Sequence, residues 1–166
     1  GYDISIRVIA DIRDMRAILL ICGEGPLREK LMAFCKDLHV EQSVRFLGFR
    51  NDVKELLRIS DVFLLSSKQE GLPRSLMEAM ASGLPCVVSN IRGNKDLLED
   101  GKGGFLCKKD DSAMYSRAIR ELFDPDLRRK MGTANTQRIK EFDINRVISE
   151  MKQIYMTELN HISAPE

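Results

Sequence analysis

The chain has 166 residues, 43% hydrophobic and 31% charged, enough to bury roughly two thirds of its unfolded surface around one core. Twenty-six Lys and Arg stand against 25 Asp and Glu, a formal net charge of +1, so composition excludes a disordered tail and offers no field for nucleic acid or anionic lipid. The longest apolar run covers residues 17–22, far short of the roughly 20 residues a transmembrane helix needs.

In chain order, a start at Gly1 without Met and without a basic-then-apolar leader is expected of an excised fragment or a processed end. Apolar runs at 17–22, 43–47, 61–65, 84–89 and 104–107 predict five strands. Between them, residues 26–38, 52–59, 73–82 and 94–99 carry apolar positions three and four apart, which predicts helices and a repeated βαβ pattern. Several strands are apolar on both alternations, as in a parallel sheet covered on both faces. The expected fold class is α/β, a Rossmann-like parallel sheet of about five to six strands flanked by helices, in a single domain spanning 1–166.

After the last strand the chain turns helical over 111–123, 125–142 and 144–159, interrupted at Asp124-Pro125 and at Asp143. The last helix carries an apolar stripe of Ile144, Val147, Ile148, Met151, Ile154 and Tyr155, expected to pack on its own domain in preference to a separate one. Cys22, Cys35, Cys86 and Cys107 form no C-x-x-C pair, and only His39 and His161 could join them. They read as reduced, buried thiols of a cytoplasmic protein, with no metal site.

Three local motifs invite a chemical reading. Gly23-Glu24-Gly25 follows the first strand, where a glycine turn can bring backbone N–H groups to a phosphate. Arg28 stands where a dinucleotide fingerprint needs its third glycine, and Glu24 repels anions, so a dinucleotide cofactor is disfavoured; a tight turn with Pro26 at the first helical position explains the triplet equally well. Asp124-Pro125-Asp126 has metal-binding spacing, yet between two helices Asp124 is a natural N-cap and Pro125 a natural first residue.

The third motif, residues 66–85, is the densest. The strand 61–65 runs into a polar loop, Pro73 is placed at the first helical position and Gly83 closes the helix before Pro85. A helix N-terminus at the carboxyl edge of the sheet, with free N–H groups near Arg74 and Ser75, suits a diphosphate. Glu78, five residues beyond Pro73 and about 7–8 Å along the axis, can reach ribose hydroxyls, while Glu70 lies on the other side of the diphosphate. Spacing alone leaves open that Glu70 only complements the helix dipole and that Glu78 is a solvated helix residue.

Glu70, seven residues, then Glu78, continued by Ala-Met-Ala-Ser-Gly-Leu-Pro-Cys-Val-Val-Ser, resembles the donor-site signature of retaining GT-B glycosyltransferases of the family 4 type. The segments beginning at Leu20, Val44, Ser60 and Gly101 fall in that family's order, so the likeness covers roughly residues 17–125. In detail it is similar to bacterial enzymes of capsular or exopolysaccharide synthesis, through the stretch from Ser89 to Asp96.

The resemblance implies the C-terminal, nucleotide-sugar-binding half of a two-domain enzyme that transfers a hexosyl unit from a nucleotide sugar, of the UDP type, to a saccharide or lipid-linked acceptor held by an N-terminal half. It implies ribose binding by Glu78, contact of Glu70 with the transferred sugar, and diphosphate binding by backbone from Gly71, Leu72, Pro73, Arg74 and Ser75. Arg50 and Asn51 would lie beside the base, and Gly23 and Gly25 would line the cleft. No metal and no other cofactor is expected, nor any nucleic-acid partner. The intact enzyme is expected in the cytoplasm or at the inner face of the cell membrane.

The family's diphosphate-binding Arg and Lys have no counterpart here; residues 1–13 read as the tail of the helix that follows that Lys. Arg92-Gly93-Asn94 replaces the family's small-Gly-Gly turn, and Arg92 or Lys68 could supply a cation, although a solvated charge is the more economical reading. Two further function classes share the βαβ pattern and the nucleotide-sugar chemistry: a non-hydrolysing nucleotide-sugar epimerase half, and a non-catalytic binding or interaction domain. A receiver module is disfavoured, because the third strand ends in Ser66-Ser67 in place of an aspartate.

Overall fold

The computed structural model describes residues 1–162. All five expected strands form, as β1 (Leu19–Cys22), β2 (Val44–Gly48), β3 (Phe63–Leu65), β4 (Cys86–Ser89) and β5 (Gly104–Cys107), and every pairing is parallel. Their arrangement differs from the single expected sheet. β1 pairs with β2, and β3, β4 and β5 pair in that order, but β1 and β3 do not pair with each other. A groove of about 790 Å³ lies between them.

The helices are α1 (Tyr2–Asp11), α2 (Arg28–Asp37), α3 (Val53–Arg58), α4 (Arg74–Ala81), α5 (Arg92–Leu97), α6 (Ser112–Glu121), α7 (Pro125–Arg138) and α8 (Ile144–Ile162), with a 3-10 turn over Ile139–Phe142. They make two layers. One apolar cluster joins Ile6, Val8 and Ile12 of α1 and its following turn, Cys35 of α2 and Tyr115 and Ile119 of α6 to Ile21 and Val87 of the strands. The opposite cluster joins Leu57 of α3, Leu76 and Met80 of α4 and Leu97 of α5 to Cys86 and Val88. β4 therefore feeds alternate side chains to the two faces, as a strand with period two must, and all four of its residues are buried.

Three local details depart from the sequence reading. Pro26 lies in a turn two residues ahead of α2, whose cap is Leu27. Pro73 is the N-cap of α4 with extended backbone, φ −73° and ψ 107°, not its first helical residue. α5 begins at Arg92, two residues earlier than expected, because the chain turns helical directly after the extended cap residue Ile91, two residues past the end of β4.

Asp124 caps α7 as its sequence context implies, accepting bonds from the N–H of Asp126 at 2.9 Å and of Leu127 at 3.4 Å, with Pro125 as first helical residue. α7 is clamped over the sheet by Asn135, whose buried amide donates to the carbonyls of Leu84 and Gly103, both at 2.7 Å. Gly132 of α7 passes so close to Gly83 that a β-carbon there would lie 1.9 Å from the Gly83 oxygen.

The stripe of α8 corrects a second expectation. Ile144, Val147, Ile148, Met151, Ile154 and Tyr155 are all exposed: after Asp143 the helix packs mainly against the preceding 3-10 turn, and none of its described residues joins either apolar cluster. No described helix is long and apolar enough to cross a membrane.

Candidate functional site

Parallel pairing puts the carboxyl ends of neighbouring strands on one edge, where open α/β sheets hold ligands. The loops after β3 and β4 meet there. The hydroxyl of Ser89, the last residue of β4, donates to the Ser67 carbonyl at 2.7 Å, and the buried Asn94 amide of α5 donates to the Ser89 carbonyl at 2.8 Å. Gly93 runs beneath the loop so closely that a β-carbon on it would lie 2.2 Å from the oxygen of Gly71 and 2.8 Å from that of Glu70. Only glycine permits this approach, and it fixes the height of the Glu70–Gly71 backbone above α5.

The loop and the start of α5 enclose a cavity of about 540 Å³ lined by Lys68, Gln69, Glu70, Gly71, Leu72, Ile91, Arg92 and Asp96. Glu70 is half-buried in its wall, while Arg92 and Lys68 are exposed at its rim. The cavity thus combines two carboxylates, Glu70 and Asp96, with two cations and open backbone, a lining suited to a polar, hydroxyl-rich ligand.

Beside it stands the N-terminus of α4. Leu76 and Met77 bond back to the Pro73 carbonyl at 3.1 and 3.2 Å, and the N–H groups of Arg74 and Ser75 make no such bond among the described residues. Pro73 has no side-chain acceptor to cover them, and the first turn carries no acidic residue. The positive end of the helix is therefore open to an external anion. Leu76, Ala79 and Met80 bury the inner face of α4, which turns Glu78 outward on the same side as Arg74 and Ser75, four and three residues earlier. Among the described residues neither Glu70 nor Glu78 joins an ion pair.

The two earlier loops supply the remaining expected residues at the ends of β1 and β2. The N–H of Gly23, with φ +115°, donates to the Gly48 carbonyl at 2.7 Å, tying those two ends together. Gly23 and Gly25 are exposed. Arg50 is engaged: its Nε donates to Asp52 at 2.7 Å and a second nitrogen bonds the other carboxylate oxygen. These bonds hold the Asp52 carboxyl below the usual carboxylate range. Asn51, next in the chain, is exposed. None of these four lines the cavity at Glu70.

Of the residues that sequence reasoning assigned to the donor, Glu70, Gly71 and Leu72 line the cavity and Arg74 and Ser75 stand at the open helix end. It underrated Arg92 and missed the supporting roles of Ser89, Gly93 and Asn94. A glycine at the second position of a short helix was the available signal, since glycine costs helix stability there unless a close approach requires it. Among the described residues, no group of three His, Cys, Asp or Glu side chains could hold a metal ion.

Residues 1–138 match the model of the family described as "Glycosyl transferases group 1". The chain is 35% identical over 146 residues to N-acetyl-alpha-D-glucosaminyl L-malate synthase of Bacillus anthracis, covering 87% of this chain and 38% of that protein. It is 32% identical over 142 residues to the UDP-Gal:alpha-D-GlcNAc-diphosphoundecaprenol alpha-1,3-galactosyltransferase of Escherichia coli, covering 84% of this chain and 37% of that protein. The crystal structure of HepE from Anabaena in complex with UDP superposes with a TM-score of 0.86 at 22% identity, over 95% of this chain and 45% of that one. The chain thus spans less than half the length of each of these proteins.

Proposed function

From the premise that the chain belongs to the group 1 glycosyl transferase family, with the C-terminal-domain fold of GT-B enzymes, we propose that it is the donor-binding half of a retaining glycosyltransferase. The observation that carries the reading is the open end of α4 set beside the Glu70 cavity, with Glu78 on the same helix face. A diphosphate at the Arg74 and Ser75 N–H groups places a ribose toward Glu78 and a sugar toward Glu70. The donor class is a nucleoside diphosphate sugar, and the UDP-bound HepE and the UDP-Gal-using relative support uracil as its base.

Each group has a distinct task. The helix end stabilises negative charge on the departing diphosphate, which is where charge develops as the glycosidic bond breaks. Glu78 accepts bonds from the ribose hydroxyls and Glu70 from sugar hydroxyls, so both position the donor and neither has to change protonation state. The Arg50 pair with Asp52 leaves backbone and Asn51 as the groups nearest the base. No metal is assigned to the reaction, since the helix end and the cations at the cavity rim meet the anion directly.

The acceptor, a saccharide or lipid-linked saccharide, belongs to polypeptide outside these residues, and the intact enzyme is assigned to the cytoplasm, with peripheral contact at the membrane for a lipid-linked acceptor. The four free thiols agree with a reducing compartment. A transferase fits better than an epimerase, because both relatives above are named for bond-forming transfer or synthesis. The test is an NMR titration of the chain with UDP, GDP and ADP. Saturable shifts that include residues 70–78 and favour one base are expected; no shift with any of the three, on this chain and on a longer chain carrying both halves, removes the reading.

A further inference from the structure

The Glu70 cavity is lined by four ionisable side chains, Lys68, Glu70, Arg92 and Asp96, two bases against two acids. Among the described residues none of the four joins an ion pair. Arg92 and Asp96 stand four residues apart on α5, about one helical turn, and both line the cavity from one face of that helix. An arginine ahead of the acid is the weaker order for a pair at this spacing, which leaves both groups available to a ligand.

The backbone that carries them is fixed. Gly93, next to Arg92, is pressed against the Glu70 and Gly71 carbonyls. The Asn94 amide donates to the Ser89 carbonyl at 2.8 Å and to the Ser89 hydroxyl at 3.1 Å. At the far end of α5 the Arg138 guanidinium of α7 donates to the carbonyls of Asp96 at 3.3 Å and Leu97 at 3.4 Å. The backbones of Arg92 and Asp96 are therefore held in place opposite the loop that bears Lys68 and Glu70, and a ligand meets a wall already arranged.

Such a wall suits hydroxyls. A carboxylate only accepts and a guanidinium or ammonium only donates, whereas a sugar hydroxyl does both. Hydroxyls lying between the loop and α5 can donate to Glu70 and Asp96 and accept from Lys68 and Arg92. A carboxylate on the sugar has no such place. It loses hydration on entering, its attraction to two cations is offset by repulsion from two acids, and the donor's own diphosphate already draws on the cations at the rim.

We propose that Arg92 and Asp96 set the specificity for the transferred sugar, so that the charge-balanced cavity takes an uncharged hexosyl unit and rejects a hexuronosyl one. Asp96 repels the sugar carboxylate, and Arg92 keeps that repulsion from extending to the diphosphate. The proposal rests on the donor-binding reading above and narrows its substrate class.

The test uses two pairs of donors whose members differ only at C6: UDP-glucose with UDP-glucuronate, and UDP-galactose with UDP-galacturonate. Each is titrated by NMR into the native chain, Asp96→Asn and Arg92→Gln. In the pair that binds better, the native chain is expected to hold the hexose about tenfold more tightly than its uronate. Asp96→Asn leaves one cation in excess and is expected to narrow that ratio about three- to fivefold, while Arg92→Gln widens it by as much, the scale of one exposed charge interaction. Both residues are exposed, and a merely structural role would move the two variants in the same direction. A uronate held as tightly as its hexose by the native chain overturns the proposal, as do variants that leave the ratio unchanged or shift it the same way. UDP alone separates these failures from failure of the donor reading: UDP bound without the hexose preference sinks the specificity alone, whereas no binding of UDP, by this chain and by a longer chain carrying both halves, removes both.

Discussion

Gly93 in α5 and Gly71 in the loop after β3 approach so closely that a β-carbon on Gly93 would sit 2.2 Å from the Gly71 carbonyl oxygen. Backbone is on the receiving end of that contact, so no rotamer change relieves it. Gly93→Ala is expected to destabilise the chain by about 1–3 kcal/mol, the usual range for overpacking, and to raise the Glu70–Gly71 segment away from α5. A urea midpoint gives the first quantity and an NDP-sugar titration the second. A variant of unchanged stability and affinity would mean that the loop rides free of α5.

The Glu78 carboxylate joins no ion pair among the described residues, and its face of α4 is exposed. Glu78→Gln is therefore expected to shift stability by no more than about 0.5 kcal/mol while weakening UDP binding some ten- to a hundredfold, matching the ~1.5–3 kcal/mol of a charge-assisted hydrogen bond. Calorimetry on the two proteins reads this directly. Equal affinities would strip Glu78 of its ribose role and leave the helix end as the only anchor.

Glu70 is placed on the sugar side of the diphosphate, so its effect depends on the ligand. Glu70→Gln is expected to leave the UDP dissociation constant within about twofold and to weaken the matching UDP-sugar about tenfold, roughly 1.4 kcal/mol. Parallel titrations with UDP and with UDP-glucose, UDP-galactose and UDP-N-acetylglucosamine test it and name the sugar. A loss that is the same for UDP and every sugar would place Glu70 against the phosphates.

Burial pushes the Cys107 thiol up to about 12, with Asp100 and Asp111 adding to the effect, and it pushes that of Cys86 higher still. An unfolded thiol ionises near 9, so between these values the unfolded chain has lost protons that the native chain keeps. Stability is then highest below about pH 9 and falls as the pH rises toward 12. Urea midpoints between pH 8 and pH 11 should decline, and less steeply in Cys107→Ala than in the parent. Thiol titration at pH 8 should show Cys22, the one half-buried cysteine, reacting ahead of the other three.

The strands were legible because each is an apolar run ended by a turn, and that signal is local. The site was legible for the same reason: Ser66 to Gly83 carries a strand end, a proline and a helix with one buried stripe in eighteen consecutive residues. What stayed hidden involves residues far apart in the chain. Nothing local to Gly93 says that residue 71 lies on top of it, and nothing near Leu20 or Leu64 says that their strands fail to meet. The stripe of α8 misled because an amphipathic pattern records that a helix can bury one face, not whether a surface is there to receive it. Pro73 was misplaced by one position because proline's fixed φ fits both the cap and the first helical residue.

Pro73 also sets a conflict between robustness and activity. Ser, Thr or Asp at an N-cap makes a helix more stable by about 1 kcal/mol, because its side-chain oxygen occupies the same N–H groups that the proline leaves vacant. A screen for heat-resistant variants would therefore favour such residues at position 73 and, by filling the helix end from within, select chains that no longer hold a phosphate there. The thermally weaker sequence is the one fitted to bind.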